Sequence, residues 1–390
     1  MEHSQAYRVH FDHLNGAPLL PEVASAMSRA LAELANPSAP YAEGRAAARL
    51  RERVRAQVAA LVGAHPEEIV FTSSGTEANA WAFRGLAEAR AGAIRQAQGI
   101  RRGHIVISAV EHLSILQTAR QMEKEGWSVT RLPVDKAGRV DPEALEQALT
   151  PETALVSIQW ASAEVGTVQP MAELVRLAKR RGALVHSDAV AAAGRVPVDV
   201  REVPVDALSL AGNVWGGPPG IGALYLRKGT RILPLFVGGT QEEGRRAGTE
   251  NLLGAVGMGA AAEAAAQRLA GLAGRANPLR EKLVRGILNL VPEAALNGHP
   301  TERLPGHASM SFPGTDAEAL VLSLDMQGVA AGLGSACSFQ ARKPSHVLKA
   351  MGVADGHALG TVVFSFGFDT AEGDVDRVLG VLSHRSIANK

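Results

Sequence analysis

The chain has little cysteine, almost no net charge and no long apolar run, and each shortage excludes a class of protein. Its one cysteine, Cys337, cannot form an intrachain disulfide or a cysteine metal cluster, which argues for a reducing compartment. A formal net charge of +1 gives no electrostatic case for binding nucleic acid or an anionic membrane surface. Apolar runs of about 18 residues are missing, and Met1 to Gln5 lack the charged-then-apolar pattern of a secretion signal. We therefore expect a cytoplasmic protein with no nucleic-acid or membrane partner.

What the sequence does contain is a regular alternation of short apolar runs and helical patterns. Apolar runs predict buried strands at 104–108, 128–132, 154–158, 183–186, 205–210 and 221–227. Amphipathic stretches at 141–149 and 171–180 predict helices between them. This alternation predicts a mainly parallel α/β sheet.

The second half of the chain begins with a helical pattern. An alanine-rich helix is expected over 252–272, and a second αβ unit is expected to begin at Asn277-Pro278. We place the domain boundary near residue 260. The sequence thus predicts a large domain over 11–260 and a small domain formed by 261–390 together with residues 1–10. The small domain carries Cys337.

The best local ligand signature is the stretch from Phe71 to Asn79. A strand-like end passes through small residues, including Gly75, into a long helix, so free backbone N–H groups and the positive end of the helix dipole meet there. Thr76 adds a hydroxyl. This pattern indicates a phosphate site, although an ordinary helix N-cap explains the stretch equally well.

Two polar residues follow predicted strands, where ligand-contacting residues gather in parallel sheets. His112 comes after the strand at 104–108, and either contacts a ligand or is a satisfied structural histidine. Asp188 comes after the strand at 183–186, and either pairs with a pyridinium nitrogen or caps the alanine-rich segment behind it.

Together these stretches resemble the pyridoxal-phosphate (PLP) dependent cysteine desulfurases of the NifS/IscS type, from about Phe11 to Val381. The matching motifs occur in family order: Asn36-Pro37-Ser38, Gly75 to Asn79, Glu111-His112, Glu164-Val165-Gly166, Asp188-Ala189, Gly220 to Tyr225, Arg245 to Asn251 and Gly334 to Cys337. The resemblance implies a fold-type-I PLP transferase of the class V aminotransferase group. Such a protein has a seven-stranded, mainly parallel sheet in its large domain, a smaller C-terminal α/β domain, and a homodimeric assembly.

The resemblance also implies roles for residues that this chain keeps. Gly75 and Thr76 correspond to the phosphate-binding turn, His112 to the residue that stacks on the pyridine ring, and Asp188 to the partner of the ring nitrogen. Thr249 corresponds to a threonine that reaches the phosphate in the neighbouring subunit's site. Cys337 corresponds to the cysteine that attacks the substrate sulfur and carries it as a persulfide.

The positions that this chain has lost concern amino-acid chemistry. The family reads Ser-Gly-His-Lys where this chain has Ala211 to Val214, so Val214 stands in place of the lysine that holds PLP as a Schiff base. Ala211 and Asn213 replace a hydroxyl and an imidazole. The other replaced positions are Ser162 and Ala163 for paired asparagines, Ala191 for a glutamine, Val363 for the arginine that clamps the substrate carboxylate, and Phe368 for a second arginine.

These losses predict that ordinary PLP-dependent desulfuration of L-cysteine is absent or very weak. A single acid–base group alone contributes about 100-fold to 10,000-fold to a rate, and the lysine supplies covalent catalysis as well. The sequence favours a non-catalytic homologue in sulfur transfer for iron–sulfur or thiol-modification metabolism. It either carries sulfur on Cys337 to an acceptor or scaffold protein, or pairs with a lysine-containing paralogue as a heterodimer instead of a homodimer.

Two other interpretations stay open. One is an enzyme of altered chemistry that binds PLP, or another phosphate ligand, without a covalent bond, next to an apolar wall formed by Val363 and Phe368. The other is a residually active cysteine desulfurase. In the first interpretation Thr76, His112 and Asp188 hold the ligand; a chain that binds no cofactor is the remaining possibility.

Overall fold

Two β-sheets organise the chain in the computed structural model, which describes residues 8–98, 103–334 and 344–386. The strands in chain order are β1 (Val9–Phe11), β2 (Ile69–Thr72), β3 (His104–Ser108), β4 (Ser128–Leu132), β5 (Thr153–Ser157), β6 (Leu184–Asp188), β7 (Ala207–Ala211), β8 (Gly222–Leu226), β9 (Ala295–Asn297), β10 (His307–Ser311), β11 (Val329–Leu333) and β12 (Thr361–Ser365). The larger sheet has seven strands in the order β2-β8-β7-β6-β5-β3-β4.

The direction of these seven strands confirms the predicted mainly parallel sheet. Five neighbouring strands, in the sheet order β7, β6, β5, β3 and β4, pair in parallel. Only β8 is antiparallel to its neighbours, β7 and β2. Because β8 is antiparallel to both, β2 points the same way as the parallel strands. Every residue of β3, β5 and β7 is buried, as expected of continuous apolar runs covered on both faces.

Helices cover the large sheet and continue into the second half of the chain. In chain order they are α1 (His13–Gly16), α2 (Pro21–Ala30), α3 (Ala42–Leu61), α4 (Gly75–Gln98), α5 (Leu113–Lys124), α6 (Pro142–Ala148), α7 (Met171–Arg180), α8 (Leu252–Leu290), α9 (Ala317–Met326), α10 (His346–Ala350), α11 (Asp355–Ala358) and α12 (Glu372–Ser386). The two helices predicted at 141–149 and 171–180 are α6 and α7. In the described stretches, no helix combines the length and apolar composition that spanning a bilayer requires.

The smaller sheet has five strands in the order β1-β11-β12-β10-β9. Its first strand, β1, is parallel to β11, whereas the other pairs are antiparallel. Helices α9 and α12 pack on it, and Phe11, Phe364 and Phe366 meet edge to face in its core. The chain thus begins in the small sheet, builds the large one, and returns.

Helix α8 connects the two sheets. It extends 39 residues and passes both residue 260 and Pro278 without interruption. The helix expected over 252–272 is therefore longer than predicted, and the second unit does not begin at Asn277-Pro278. Its first half packs on α2 and α3 and its second half on α12. The division at 260 remains a prediction, and it lies inside this helix.

Candidate functional site

A cavity of about 390 Å³ opens at the carboxyl edge of the large sheet. Four parallel strands, β3, β5, β6 and β7, and the similarly directed β2 all end at this edge. Its lining residues come from α1, from the segments that follow these strands, and from α10: Leu14, Asn15, Ser74, Gly75, Thr76, Asn79, Val110, Glu111, His112, Gln159, Ala161, Ser162, Ala163, Glu164, Asp188, Val190, Ala191, Ala211, Asn213 and Val347. The sheet topology therefore brings together residues that are far apart in the sequence.

The first turn of α4 forms one end of this cavity. Ser74 caps the helix, because its Oγ accepts a hydrogen bond from the Glu77 amide at 3.2 Å. Gly75 lies so close to the β6 side of the site that a Cβ there would stand 2.8 Å from Val190 Cγ2. Thr76 is exposed and lines the cavity. The N-cap interpretation and the phosphate-site interpretation of this stretch are therefore compatible. Ser74 is an N-cap, and the helix N-terminus also faces a cavity that suits an anion.

Asp188 ends β6 with its carboxylate held on both oxygens. Its Oδ1 accepts from the Val190 amide at 2.9 Å, and its Oδ2 accepts from Asn79 Nδ2 at 2.6 Å. Asn79 Nδ2 also donates to Ser114 Oγ at 3.0 Å. The bond to Val190 is the local capping contact that the sequence allowed for. The bond to Asn79 ties Asp188 to the helix that carries Thr76.

His112 lines the cavity and also begins α5. Its Nδ1 accepts from the Ser114 amide at 3.1 Å, so it serves as the N-cap of that helix. The residue is exposed, and its Nδ1 also lies 2.7 Å from Ser114 Oγ. The structural and the ligand-contacting interpretations of His112 are therefore compatible.

Two carboxyl groups in the cavity wall, the buried Glu111 and the partly buried Glu164, have raised pKa values. Burial raises the pKa of Glu111 to about 8, against the opposing hydrogen bonds from Ser108 Oγ and the Gln159 amide, and the negative charge of Asp188 adds to the rise. Burial likewise raises the pKa of Glu164 to about 7, while Ser345 Oγ donates to its Oε2. Both groups therefore hold a proton over part of the neutral range.

Two polar atoms in this wall have no hydrogen-bond partner among the described residues. They are Asn79 Oδ1 and Glu111 Oε2, on side chains that are 1% and 0% exposed. Buried polar atoms without a partner are uncommon and costly, so this pair indicates a ligand or water at the site. Sequence reasoning quoted Asn79, Glu111 and Glu164 as motif members but did not assign them to the site. The spacing of Asn79 one helical turn after Gly75 was the available signal.

The replaced family positions divide into two groups. Ser162, Ala163, Ala191, Ala211 and Asn213 line the cavity. Ser162 Oγ accepts from the amides of Glu164 and Val165 at 3.3 Å, so its hydroxyl serves a turn. Val214 instead belongs to the hydrophobic core, 4% exposed, in a 3-10 turn that packs on α8.

The expected apolar wall of Val363 and Phe368 is a wrong prediction, because neither residue lines this cavity. Val363 is buried in β12 between β10 and β11, and its Cγ2 would lie 3.6 Å from a Cβ added at Gly334. The Phe368 ring stacks under the Arg268 guanidinium of α8 at 5.4 Å. The sequence could not place these two side chains. The resemblance showed which family positions they occupy, but not where their side chains point.

Two predicted site residues are not among those that line the cavity, one of them because it is outside the described part of the chain. Thr249 is exposed and does not line this cavity, and its motif is anchored by Arg246, whose Nε donates to Glu77 Oε1 at 3.0 Å. Its predicted role concerns a neighbouring subunit. Cys337 lies outside the described residues.

The residues present fit the non-covalent half of a PLP site. An anion-accepting helix end, an exposed imidazole and a fixed carboxylate share one cavity, and an unpartnered amide oxygen stands beside them. The covalent half does not fit, because no lysine lines the cavity in the described part of the chain. Among the described residues, no cluster of His, Cys, Asp or Glu is placed to hold a metal ion.

Comparison with known proteins agrees with this geometry. The aminotransferase class-V family model matches residues 9–378. A cysteine desulfurase of Cereibacter sphaeroides is 44% identical over 378 residues, covering 96% of this chain and 95% of the relative. The cysteine desulfurase IscS of Methanosarcina thermophila is 41% identical over 375 residues, covering 96% and 91%. A solved NifS-like protein superimposes with a TM-score of 0.89 at 33% identity, over 97% of this chain and 99% of that one.

Proposed function

Because this chain belongs to the aminotransferase class-V family and its relatives include cysteine desulfurases, we propose that it is a sulfur-transfer protein deficient in ordinary L-cysteine desulfuration. The observation that supports this most is Val214. It stands where the resemblance puts the PLP-binding lysine, its side chain packs in the core, and the described cavity wall contains no lysine to replace it. An amine that bonds to the cofactor carbonyl cannot be supplied by a valine.

Restoring the lysine tests this proposal. Ala211, just before the turn, and Asn213, next to Val214 within it, line the cavity, so the longer side chain in Val214→Lys is expected to reach it. After incubation with PLP and reduction with borohydride, mass spectrometry should find the cofactor fixed at residue 214 of Val214→Lys only. Wild type and Val214→Met, an apolar control of similar length, should carry no cofactor on a cavity residue. Cofactor fixed in the wild-type site, together with cysteine-dependent sulfide release, would overturn the proposal.

We propose that the thiol of Cys337 carries the transferred sulfur. In this reaction the Cys337 thiolate takes the terminal sulfur of a donor persulfide and the donor leaves as a thiolate, so no external oxidant or reductant is needed. Since the chain has one cysteine, any sulfur that it carries on a thiol resides there. Labelled sulfur from a persulfide donor should bind the wild type and not Cys337→Ser; equal labelling of both contradicts the assignment.

The exposed Thr249 supports a second proposal, a subunit partner with a complete site. Arg246 and Glu77 fix the motif on the surface, where Thr249 is available to another subunit. We propose that this partner is a lysine-containing paralogue and that the pair works in the cytoplasm. Purification from the native cell should recover such a paralogue with this chain, and recovery of homodimers alone contradicts it.

A further inference from the structure

Three arginines are buried where the large-sheet and small-sheet halves of the chain meet. Arg195 follows β6, Arg280 belongs to α8, and Arg303 lies between β9 and β10. Their exposed fractions are 6%, 8% and 5%, and none of them lines the cavity at the carboxyl edge of the large sheet. With His307 of β10, which is 1% exposed, they form what we call the junction cluster.

Two of these arginines join the halves through backbone carbonyl groups. Arg195, from the large-sheet half, donates through Nη1 to the Phe366 carbonyl at 2.9 Å. Arg303, from the small-sheet half, donates through Nη2 to the carbonyls of Val165 at 3.1 Å and Asn297 at 3.0 Å. A carbonyl accepts a hydrogen bond but has no net charge, so these bonds leave both guanidinium charges unbalanced.

The junction cluster has no buried carboxylate to balance these charges among the described residues. Burial alone lowers the pKa of Arg195 to about 10, and burial together with the charge of Arg280 lowers the pKa of Arg303 to about 10. The carboxylate beside Arg280 is that of Glu281, whose side chain is 59% exposed. Both lowered pKa values still leave the guanidiniums charged at neutral pH, and burying unpaired charges is costly.

Packing around Gly306 brings the arginines together. The Phe366 amide donates to the Gly306 carbonyl at 3.0 Å, so Arg195, which binds the Phe366 carbonyl, lies beside this glycine. A Cβ at Gly306 would stand 3.1 Å from Ala276 Cβ, and Ala276 is one helical turn before Arg280 in α8. Residues from three separate parts of the chain therefore meet at this glycine.

Three buried nitrogens of the cluster have no hydrogen-bond partner among the described residues. They are Nε of Arg195, Nε of Arg303 and Nδ1 of His307. His307 is within reach of both charges, because burial, Arg303 and Arg195 together lower its pKa to about 3. An arginine Nε always carries a hydrogen, and buried donors without an acceptor are uncommon. Unbalanced positive charge and unpaired donors at one place call for a negatively charged acceptor.

We propose that the junction cluster binds chloride, a small inorganic anion, between the two halves of the chain. Charge-assisted hydrogen bonds from guanidinium groups are the stronger kind and would offset the burial of the arginines. Close packing limits the size of the ion, since a Cβ at Gly306 would stand only 2.8 Å from Phe366 Cβ. This site requires neither a cofactor nor a sulfur carrier, so it is independent of the proposed function.

Exchange of anions at constant ionic strength tests the proposal. The full chain is unfolded by heat in sodium gluconate that is replaced stepwise by sodium chloride, because gluconate is too large for a packed junction. The unfolding midpoint should rise along a saturating curve by at least about 2 °C, as expected when an ion binds the folded chain alone. A midpoint that stays constant, or that changes without saturating, overturns the inference.

Matched variants assign the response to the junction cluster. Arg280→Met removes one positive charge but none of the bonds between the halves, and it should need at least about threefold more chloride for half of the rise. Arg303→Met should lose the response. Arg176→Met, which removes an exposed arginine of α7, should respond as the wild type does. If Arg303→Met does not fold, Arg280→Met decides, and a response equal to that of the wild type overturns the inference.

Bromide gives the position of the ion directly. In crystals grown with sodium bromide, anomalous scattering should show an ion in contact with the guanidinium of Arg195 or Arg303. Bromide at the protein surface alone would be an adventitious ion only and would overturn the inference. Each of these outcomes leaves the proposed loss of desulfuration standing, because none of the measurements involves the cavity or Cys337.

Discussion

At the scale of single residues, the site is defined by which side chains turn toward the cavity. Ala211 at the end of β7 and Asn213 in the following 3-10 turn line it, whereas Val214 in the same turn packs in the core. An apolar valine suits this buried position, since burying an unpaired charge is costly. The groups of this site whose protonation depends on the fold are its acids, the buried Glu111 and the partly buried Glu164.

Glu111 gives the folded chain a specific dependence on pH. Its folded pKa of about 8 lies above its ordinary value, so between these values the unfolded chain has lost the proton that the folded chain keeps. Stability therefore falls as pH rises through this window. The partly buried His13 and the buried His186 and His307, whose pKa values burial lowers to about 3, act in the opposite direction, but only below the ordinary pKa of histidine.

We predict that the free energy of unfolding of the wild type falls by roughly 1 kcal/mol from Glu111 between about pH 7 and about pH 8. Glu111→Gln mimics the protonated side chain and should remove most of this slope. Glu123→Gln, whose carboxylate on the surface is ionised in both states, should keep it. Urea unfolding at both pH values measures the slope, and a Glu111→Gln slope equal to that of the wild type contradicts the assignment.

At the scale of elements, the sequence predicted the positions of the strands and short helices better than the length of the long helix α8. The runs at 104–108 and 128–132 are β3 and β4 to the residue. The burial expected of both runs is confirmed for β3 only, because β4 lies at the edge of the sheet and only its Leu132 is buried. Helix α8 was cut short at Asn277-Pro278, since a local rule treats proline as a helix breaker. Packing of α8 on α2, α3 and α12 overrides that rule.

The same contrast applies to the site. Gly75, Thr76, His112 and Asp188 could be predicted to meet, because strand ends of one direction gather at one edge of a sheet. The direction in which a side chain points could not be predicted from the sequence. For that reason Val363 and Phe368 were misplaced and Glu111 was overlooked. Local patterns determine the strand ends; the tertiary packing of the turns determines which residues face inward.

A buried ion pair joins α3 to the elements beside the site. Arg55 of α3 donates through Nη1 to Glu242 Oε2 at 2.7 Å and through Nη2 to Glu242 Oε1 at 2.9 Å. Arg55 Nη1 also donates to the Ile69 carbonyl, and Glu242 Oε2 accepts from the Phe71 amide, so the pair holds β2, which leads into α4. Glu242 itself has a φ of 50°, an uncommon conformation that these contacts stabilise.

We predict that Arg55→Met destabilises the chain by about 3–5 kcal/mol, because it leaves the fully buried Glu242 carboxylate without its partner. Arg131→Met removes an exposed pair with Glu123 and should cost less than about 1 kcal/mol. Thermal and urea unfolding compare the two. Equal losses in both variants contradict a special role for the buried pair.

At the scale of the whole molecule, α8 makes the two sheets depend on one another. Its first half packs closely on α3, where Gly259 leaves room for Val54, and its second half packs against α12 on the small sheet. The four tryptophans, at 81, 127, 160 and 215, all belong to the large-sheet half of the chain. Tryptophan fluorescence therefore follows the large sheet, whereas far-ultraviolet circular dichroism follows the helices and strands of both.

Two identical substitutions in α8 test this coupling. A Cβ at Gly259 would stand 2.9 Å from Val54 Cβ and 3.2 Å from Val54 Cα, so Gly259→Ala should separate α8 from α3 and cost about 1–3 kcal/mol. Gly274 is exposed with nothing within 4 Å of an added Cβ, so Gly274→Ala should instead add about 0.5–1 kcal/mol of helix stability. Because one helix holds both sheets, Gly259→Ala should lower the fluorescence and circular-dichroism midpoints together. A shift in the fluorescence midpoint alone would show that the small sheet keeps its structure when the large sheet unfolds, and that α8 does not couple them.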